Sequence, residues 1–422
     1  MNSLDSSQQA HFAALSGTCW QSVKWWLLLL AFLGLFVHGC TGEPEPKKPV
    51  TTLPMFTGPG AFVISRNDQS GLFGVIDLDT QKVYPKLGPA SDDAVARYWD
   101  GYFFVINRFG HDNIQVMDAK SFALKKQYSV GPGSNPQDIA VVSEKKAYVS
   151  RLAKASLLMV DPLTGQKQGE IDLSHLAEPP YKSCTQSSDC RSKTCQNGKC
   201  KADGLPELSK MLLHDGKLFV LVQRLDRFQQ FAPNTTGKIA VIDTESDKIL
   251  KILDTKGMNP ISMQLSADQK LLYVAQVGVW LKDQENMVLD GQIETFDVTT
   301  LKHKGTAITE QALGGNIGSF TIPSETVGYA IRTGKDWKTE LVQFHPGTGK
   351  VLKTIATSPC IDKKACYTFT QIRHHKNDML YLVDRNLQSP GIRIFDAKTG
   401  QEKTQKPIDM GLPPSSILFY TK

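Results

Sequence analysis

Long hydrophobic runs are scarce in this chain. The one that stands out, WWLLLLAFLGLFV at residues 25–37, is thirteen residues long, against the ~20 that a membrane-spanning helix requires. Its length suits the apolar core of a signal peptide instead. Charge of one sign is also lacking: 48 Lys and Arg face 42 Asp and Glu, and part of the net +6 sits in the leader and the segment after it. No basic stretch is interleaved with aromatics, so no nucleic-acid partner is expected. G-x-S-x-G, H-E-x-x-H and phosphate-loop patterns are absent; no catalytic residue is assigned and no cofactor is expected. The clustered cysteines are spaced C-x5-C-x4-C-x4-C, without the tight C-x2-C pairs common at zinc sites, so no metal ligands are assigned either.

What is present is repetition. An apolar run ends in Asp and is followed by a turn in VIDLDT (Asp77), VMDAKS (Asp118), MVDPLT (Asp161), VIDTES (Asp243), TFDVTT (Asp297) and IFDAKTG (Asp396), with His345 replacing Asp in QFHPGTG. The Asp has a local reason: its carboxylate accepts backbone N–H groups of the following turn. A second apolar strand precedes each of these marks: residues 62–65, 104–107, 148–150, 219–222, 273–275, 329–331 and 381–383. A third, often opened by Pro or Gly, starts near Asp93, Pro136, Leu208, Pro260, Gly318, Thr368 and Pro414. A fourth follows each Asp turn, as in Lys248 to Leu253. Short strands recurring with a period of about forty residues or slightly more point to an all-β, seven-bladed β-propeller. The chain enters at Ala61 already in the second strand of its first blade, and the run Pro414 to Tyr420 has no blade after it. A ring closed by the C-terminal strand is therefore expected, because it pairs the open edges of both chain ends.

The phrases NPQDIAVVSEKKAYVSR and ISMQLSADQKLLYVAQ resemble the YVTN-type β-propeller repeat of bacterial secreted and surface proteins. The resemblance covers roughly residues 60–422 and implies the fold, while propellers serve binding and catalysis alike.

Upstream, Val37–His38–Gly39–Cys40 resembles the lipobox of bacterial lipoproteins. That resemblance implies a signal peptide over residues 1–39, lipidation of Cys40 and, with Thr41 next, sorting to the outer membrane. Residues 40–59, TGEPEPKKPVTTLPMFTGP after Cys40, are rich in Pro and cannot build a core; they read as an extended tether. The propeller follows at 60–422, with an insertion at 174–206 that widens the interval between Asp161 and Asp243.

The insertion carries Cys184, Cys190, Cys195 and Cys200 among polar and turn-forming residues. In an exported chain this reads as two disulfides, with three connectivities open. Cys360 and Cys366, flanking a short loop, are expected to pair with each other.

One pattern stands out as a candidate binding feature. An arginine follows the second strand in six units: Arg66, Arg108, Arg151, Arg224, Arg332 and Arg385, with Val277 in the fifth. These positions lead into turns on one face of a propeller, where a collar of guanidiniums would attract carboxylates or phosphates. The competing expectation is that each Arg is tied to a neighbouring acid or carbonyl. His374–His375, the Asp92–Asp93 pair and Glu325 lie near inner strands, but nothing in the sequence joins them to His111, His214 or one another. Long loops bearing Phe228, Phe231, Trp280 and Leu281 are candidate contact places.

The sequence thus leads to a monomeric, lipid-anchored propeller of the cell envelope. Its expected role is a non-enzymatic platform for an envelope protein or an anionic polysaccharide; the alternative is a lactonase-like hydrolase at the channel mouth. Labelled palmitate should enter the wild-type chain in a bacterial host and be lost from Cys40→Ala; equal labelling of both would refute the anchor.

Overall fold

The computed structural model describes residues 58–421, apart from 181, 191, 280–286 and 361–365. Cys40 and the Trp280–Leu281 loop tip lie outside the described residues. Each repeat becomes an antiparallel sheet: six sheets have four strands and one has three, giving a seven-bladed propeller. Within a blade the second strand is buried on both faces, as in Tyr102–Asn107 and Lys217–Val222. That explains why the second strands read as continuous apolar runs rather than alternating ones. The fourth strands are outermost and read as polar; Leu124–Ser129 (LKKQYS) buries only Tyr128.

The repeated aspartates fix the turn into the fourth strand. Asp77 Oδ1 accepts from the N–H groups of Asp79 and Thr80 at 3.0 and 2.9 Å. Asp118, Asp161, Asp297 and Asp396 each do the same with the second and third residues after them. His345 substitutes through Nδ1, accepting from Gly347 N–H at 3.1 Å. Tyrosines of the second strands then tie blades together. The Tyr148 hydroxyl reaches Asp247 in the turn of the fourth blade, and the Tyr329 hydroxyl donates to Ala397 O at 2.6 Å in the seventh.

The apolar core is divided into seven clusters, one between each pair of neighbouring blades, the seventh and first included. Closure of the ring is explicit. Pro414–Tyr420 pairs antiparallel with Gly60–Arg66, setting Gly60 opposite Tyr420 and Val63 opposite Ile417. Gly60 is needed there, since a Cβ would stand 2.5 Å from the Tyr420 ring. The seventh blade departs from the expected pattern. Its fourth strand is reduced to two isolated bridges, Ile392 with Ile408 and Phe395 with Glu402. Pro407, which has no N–H to donate, falls between them.

Inner strands are sheet edges facing the channel, so their N–H groups lack a ladder partner. Side chains of the preceding blade supply acceptors. Met211 N–H donates to Asp138 Oδ2 at 2.9 Å, Ile322 N–H to Gln264 Oε1 at 3.1 Å, and Ile417 N–H to Gln371 Oε1 at 2.7 Å. Ile372 N–H reaches Ser319 Oγ at 3.3 Å. These bonds stitch blade to blade around the axis.

Phe103 is fully buried, stacked on Phe62 at 4.3 Å and edge-on to Tyr420 at 4.8 Å between the first two blades. Phe103→Ala should lower unfolding stability by about 3–5 kcal/mol in urea titrations. Leu387→Ala, at a side chain 74% exposed, should change it by no more than about 0.5 kcal/mol.

Candidate functional site in the central channel

Four inner strands place charge at the channel. Ala94–Trp99, in the second blade, carries Arg97, and Pro136–Ser143, in the third, carries Asp138. Leu208–His214, in the fourth, carries Lys210, and Phe369–His375, in the seventh, carries Arg373. Side chains alternate in a strand, so Ala94, Ala96 and Tyr98 pack toward the first blade while Val95 and Trp99 pack toward the third. Arg97 shares the latter face and reaches Asp138. Its Nε donates to Asp138 Oδ1 at 2.6 Å and its Nη2 pairs with Oδ2. This is a two-point guanidinium–carboxylate contact. Asp138 also accepts from Met211 N–H, so one carboxylate links three consecutive blades.

Asp138 is 1% exposed, whereas the Arg97 side chain is 40% exposed although protein surrounds it. The Asp138 carboxyl lies below the ordinary carboxylate range: burial acts to raise it, and the Arg97 charge and hydrogen bonds outweigh burial. Lys210 is pushed down to about 8 by burial, which outweighs the pull of Asp138, with Arg97, Arg108 and Arg373 repelling it further. Arg373 is pushed down to about 10 by burial and by the charge of Arg97. Lys210 donates to Gln137 O at 3.4 Å, and it and Arg373 lie within electrostatic reach of a carboxylate already committed to Arg97. The arrangement favours an added anion: it would relieve the repulsion among Arg97, Lys210 and Arg373.

The six collar arginines are placed differently. Arg108 pairs with Asp93 at 2.5 Å and donates to Gln137 at 3.0 Å; it also lies close enough to repel Lys210. Arg151 is buried against Ser156 and Glu170 at 2.9 and 3.3 Å. Arg224 is buried and donates to Thr236 O and Ala177 O at 2.9 and 3.2 Å. Arg332 pairs with Glu340 at 2.8 Å. Arg385 is repelled by Arg66 and attracted by Asp68, and its Nη1 is buried without a hydrogen-bond partner. Four of the collar residues thus hold the fold's own acids and carbonyls, and Arg108 alone adds to the field of the channel cluster.

The remaining candidates are separated. His374 lies 3.6 Å from Asp378, and burial lowers its pKa. His375 packs edge-on to Phe419 at 4.8 Å. Asp92 faces His111 at 3.4 Å, and His345 holds its turn. Phe228 and Phe231 are exposed on the surface. All three disulfides are present, as Cys184–Cys195, Cys190–Cys200 and Cys360–Cys366. Beside the insertion, burial raises Glu178 to about 7 and Glu207 to about 10, with Asp203 repelling both.

The channel cations carried a sequence signal that the strand-end pattern obscured. Arg97, Lys210 and Arg373 each interrupt the middle of an inner strand, where a charge is costly unless it faces water or a partner.

Asp138→Leu should remove the acceptor of Met211 N–H and the counter-charge of Arg97, lowering stability by about 2–3 kcal/mol. Chemical denaturation checks this; a loss below about 0.5 kcal/mol would show that the pair is not needed for packing.

No family model matches this chain, and no curated protein matches its sequence. Its fold is similar to that of a putative 6-phosphogluconolactonase from Bacteroides uniformis, at 11% identity and a TM-score of 0.55 over 86% of this chain and 99% of the other. It is equally similar to the periplasmic gluconolactonase PpgL of Pseudomonas aeruginosa, at 12% identity and 0.55 over 86% and 99%. Apo AztD of Citrobacter koseri matches at 13% identity and 0.50 over 86% and 98%. Residues 60–420 thus form a seven-bladed propeller whose likeness to these solved structures is one of fold alone.

Proposed function

We propose that this chain is a lipid-anchored, non-enzymatic binding module of the cell envelope, and that its channel holds an anionic group of an envelope polymer or protein. The observation that carries the reading is the cluster of Arg97, Lys210 and Arg373 around the already paired Asp138. The lipobox-like Cys40 segment and the three disulfides support an exported, membrane-tethered protein. A lactonase-like hydrolase, the second reading, calls for a carboxylate or imidazole free to act on water. In the channel Asp138 is bonded to Arg97 and Met211, and His374 sits beside Asp378. The lactonase-named neighbours share the fold at too low an identity to carry their chemistry across.

The charge of Lys210 gives the reading a pH signature. Its ammonium is charged below about pH 8 and neutral above it, so an anion is held more tightly on the acid side. Binding of a carboxylated polysaccharide such as polygalacturonate should weaken roughly tenfold between pH 7 and pH 9, since each pH unit above the pKa removes tenfold of the charged form. Lys210→Met should bind more weakly at pH 7 and lose that dependence, as measured by calorimetry. Equal binding by wild type and the Lys210→Met, Arg373→Leu double variant would refute the channel as the site. Turnover of a sugar lactone that disappears in the double variant would favour the hydrolase.

A further inference from the structure

A second cluster, at the root of the insertion, has the opposite sign. Glu178 follows the short helical turn Ser174–Leu176, and Asp203 follows Cys200. Glu207 stands immediately before the inner strand Leu208–His214 of the fourth blade. One carboxylate oxygen from each of the three lies within 4.8 Å of the other two. Glu178 is 4% exposed and Glu207 is fully buried.

Each of these two glutamates uses only one oxygen on the protein. Glu178 Oε1 accepts from Asp203 N–H at 3.2 Å, and Glu207 Oε2 accepts from Leu225 N–H at 2.9 Å. Glu178 Oε2 and Glu207 Oε1 are buried without any hydrogen-bond partner. A buried carboxylate oxygen with no donor is a costly arrangement, normally tolerated where a cation answers it. Asp203 is held in place by Arg227, whose N–H and Nε donate to Oδ2 at 3.0 and 3.1 Å.

The chemistry of the donors leads the same way. Every donor is a hard oxygen, which selects calcium or magnesium over zinc or copper. A spread of up to 4.8 Å between oxygens fits ligands about 2.3–2.6 Å from a central ion, the calcium range.

We propose that Glu178, Asp203 and Glu207 bind a calcium-sized divalent cation that fastens both ends of the disulfide knuckle to the fourth blade. The two disulfides close the knuckle on itself but do not attach it to the propeller; the cation joins residues from before it, after it and the blade entrance. The site is independent of the cationic channel and stands or falls apart from it.

The test uses the full chain with its disulfides formed, stripped with EGTA and titrated with calcium chloride by calorimetry. One calcium ion per chain should bind, with a dissociation constant on the order of 0.1–1 mM, the range of extracellular modules. Calcium should raise the melting temperature and slow tryptic cleavage after Lys201, an exposed residue of the knuckle. Glu207→Gln and Glu178→Gln should each weaken binding about tenfold or more. Each should melt no lower than the wild type in EGTA, because the amide keeps the side chain's size and its NH2 can donate to a neighbouring carboxylate oxygen that lacks a partner. Folded wild type that binds no calcium up to about 10 mM, well above the weak end of that range, would overturn the proposal. So would unchanged calcium affinity in both variants.

Discussion

The structure depends on how the inner strands are satisfied. A propeller leaves seven sheet edges facing its axis, and each edge exposes N–H groups that water alone would otherwise serve. Here the acceptors come from the neighbouring blade: Asp138 for Met211, Gln264 for Ile322, Ser319 for Ile372 and Gln371 for Ile417. These side chains set blade spacing at the axis, while the seven apolar clusters set it farther out. Asp138 is the member that carries charge, and its charge brings Arg97 with it. Arg97 thus has a carboxylate partner, and Lys210 and Arg373 add further positive charge from the inner strands of the fourth and seventh blades.

Closure makes the ring a single unit. Pro414–Tyr420 completes the first blade, and Tyr98 of the second blade donates its hydroxyl to Thr421 O at 2.7 Å. Both chain ends of the propeller are therefore locked at one interface, where Phe62, Phe103 and Tyr420 meet. Such closure holds the channel side chains in fixed relation. That matters for a binding site, since cations on separate blades can converge on one ligand only when the blades do not slide. The insertion adds no strand to any blade. It rises from the link between the third and fourth blades, and its disulfides stabilise a segment with almost no apolar core of its own.

Much of this was legible in the sequence for local reasons. An Asp two and three residues before its N–H donors, a tyrosine in a double-buried strand and an unpaired final run are features that neighbouring residues create. The blade count and the closing strand follow from them; the cysteine spacing gave the number of disulfides and the Cys360–Cys366 pair, while folding chose Cys184–Cys195 and Cys190–Cys200. The seventh blade's weak outer strand was less visible, because its cause is a single Pro407 in a stretch of otherwise ordinary composition. The site was harder still. Arg97, Asp138, Lys210 and Arg373 sit on four blades, and only the ring's geometry brings them together. The collar arginines were conspicuous because they recur at strand ends, yet recurrence there mostly reflects pairing with local acids such as Asp93, Glu170 and Glu340. Glu178, Asp203 and Glu207 are likewise spread across the insertion, and folding alone assembles them.

The functional account rests on an anion being held among the channel cations. The most direct measurement is a crystal of the propeller soaked in a heavy oxyanion such as tungstate, with the anion located by anomalous scattering. A peak on the channel axis within hydrogen-bonding distance of Arg97, Lys210 and Arg373, lost in the Lys210→Met, Arg373→Leu protein, is the expected result. Peaks confined to the outer loops around Arg66 and Arg385, with an empty axis, would contradict it.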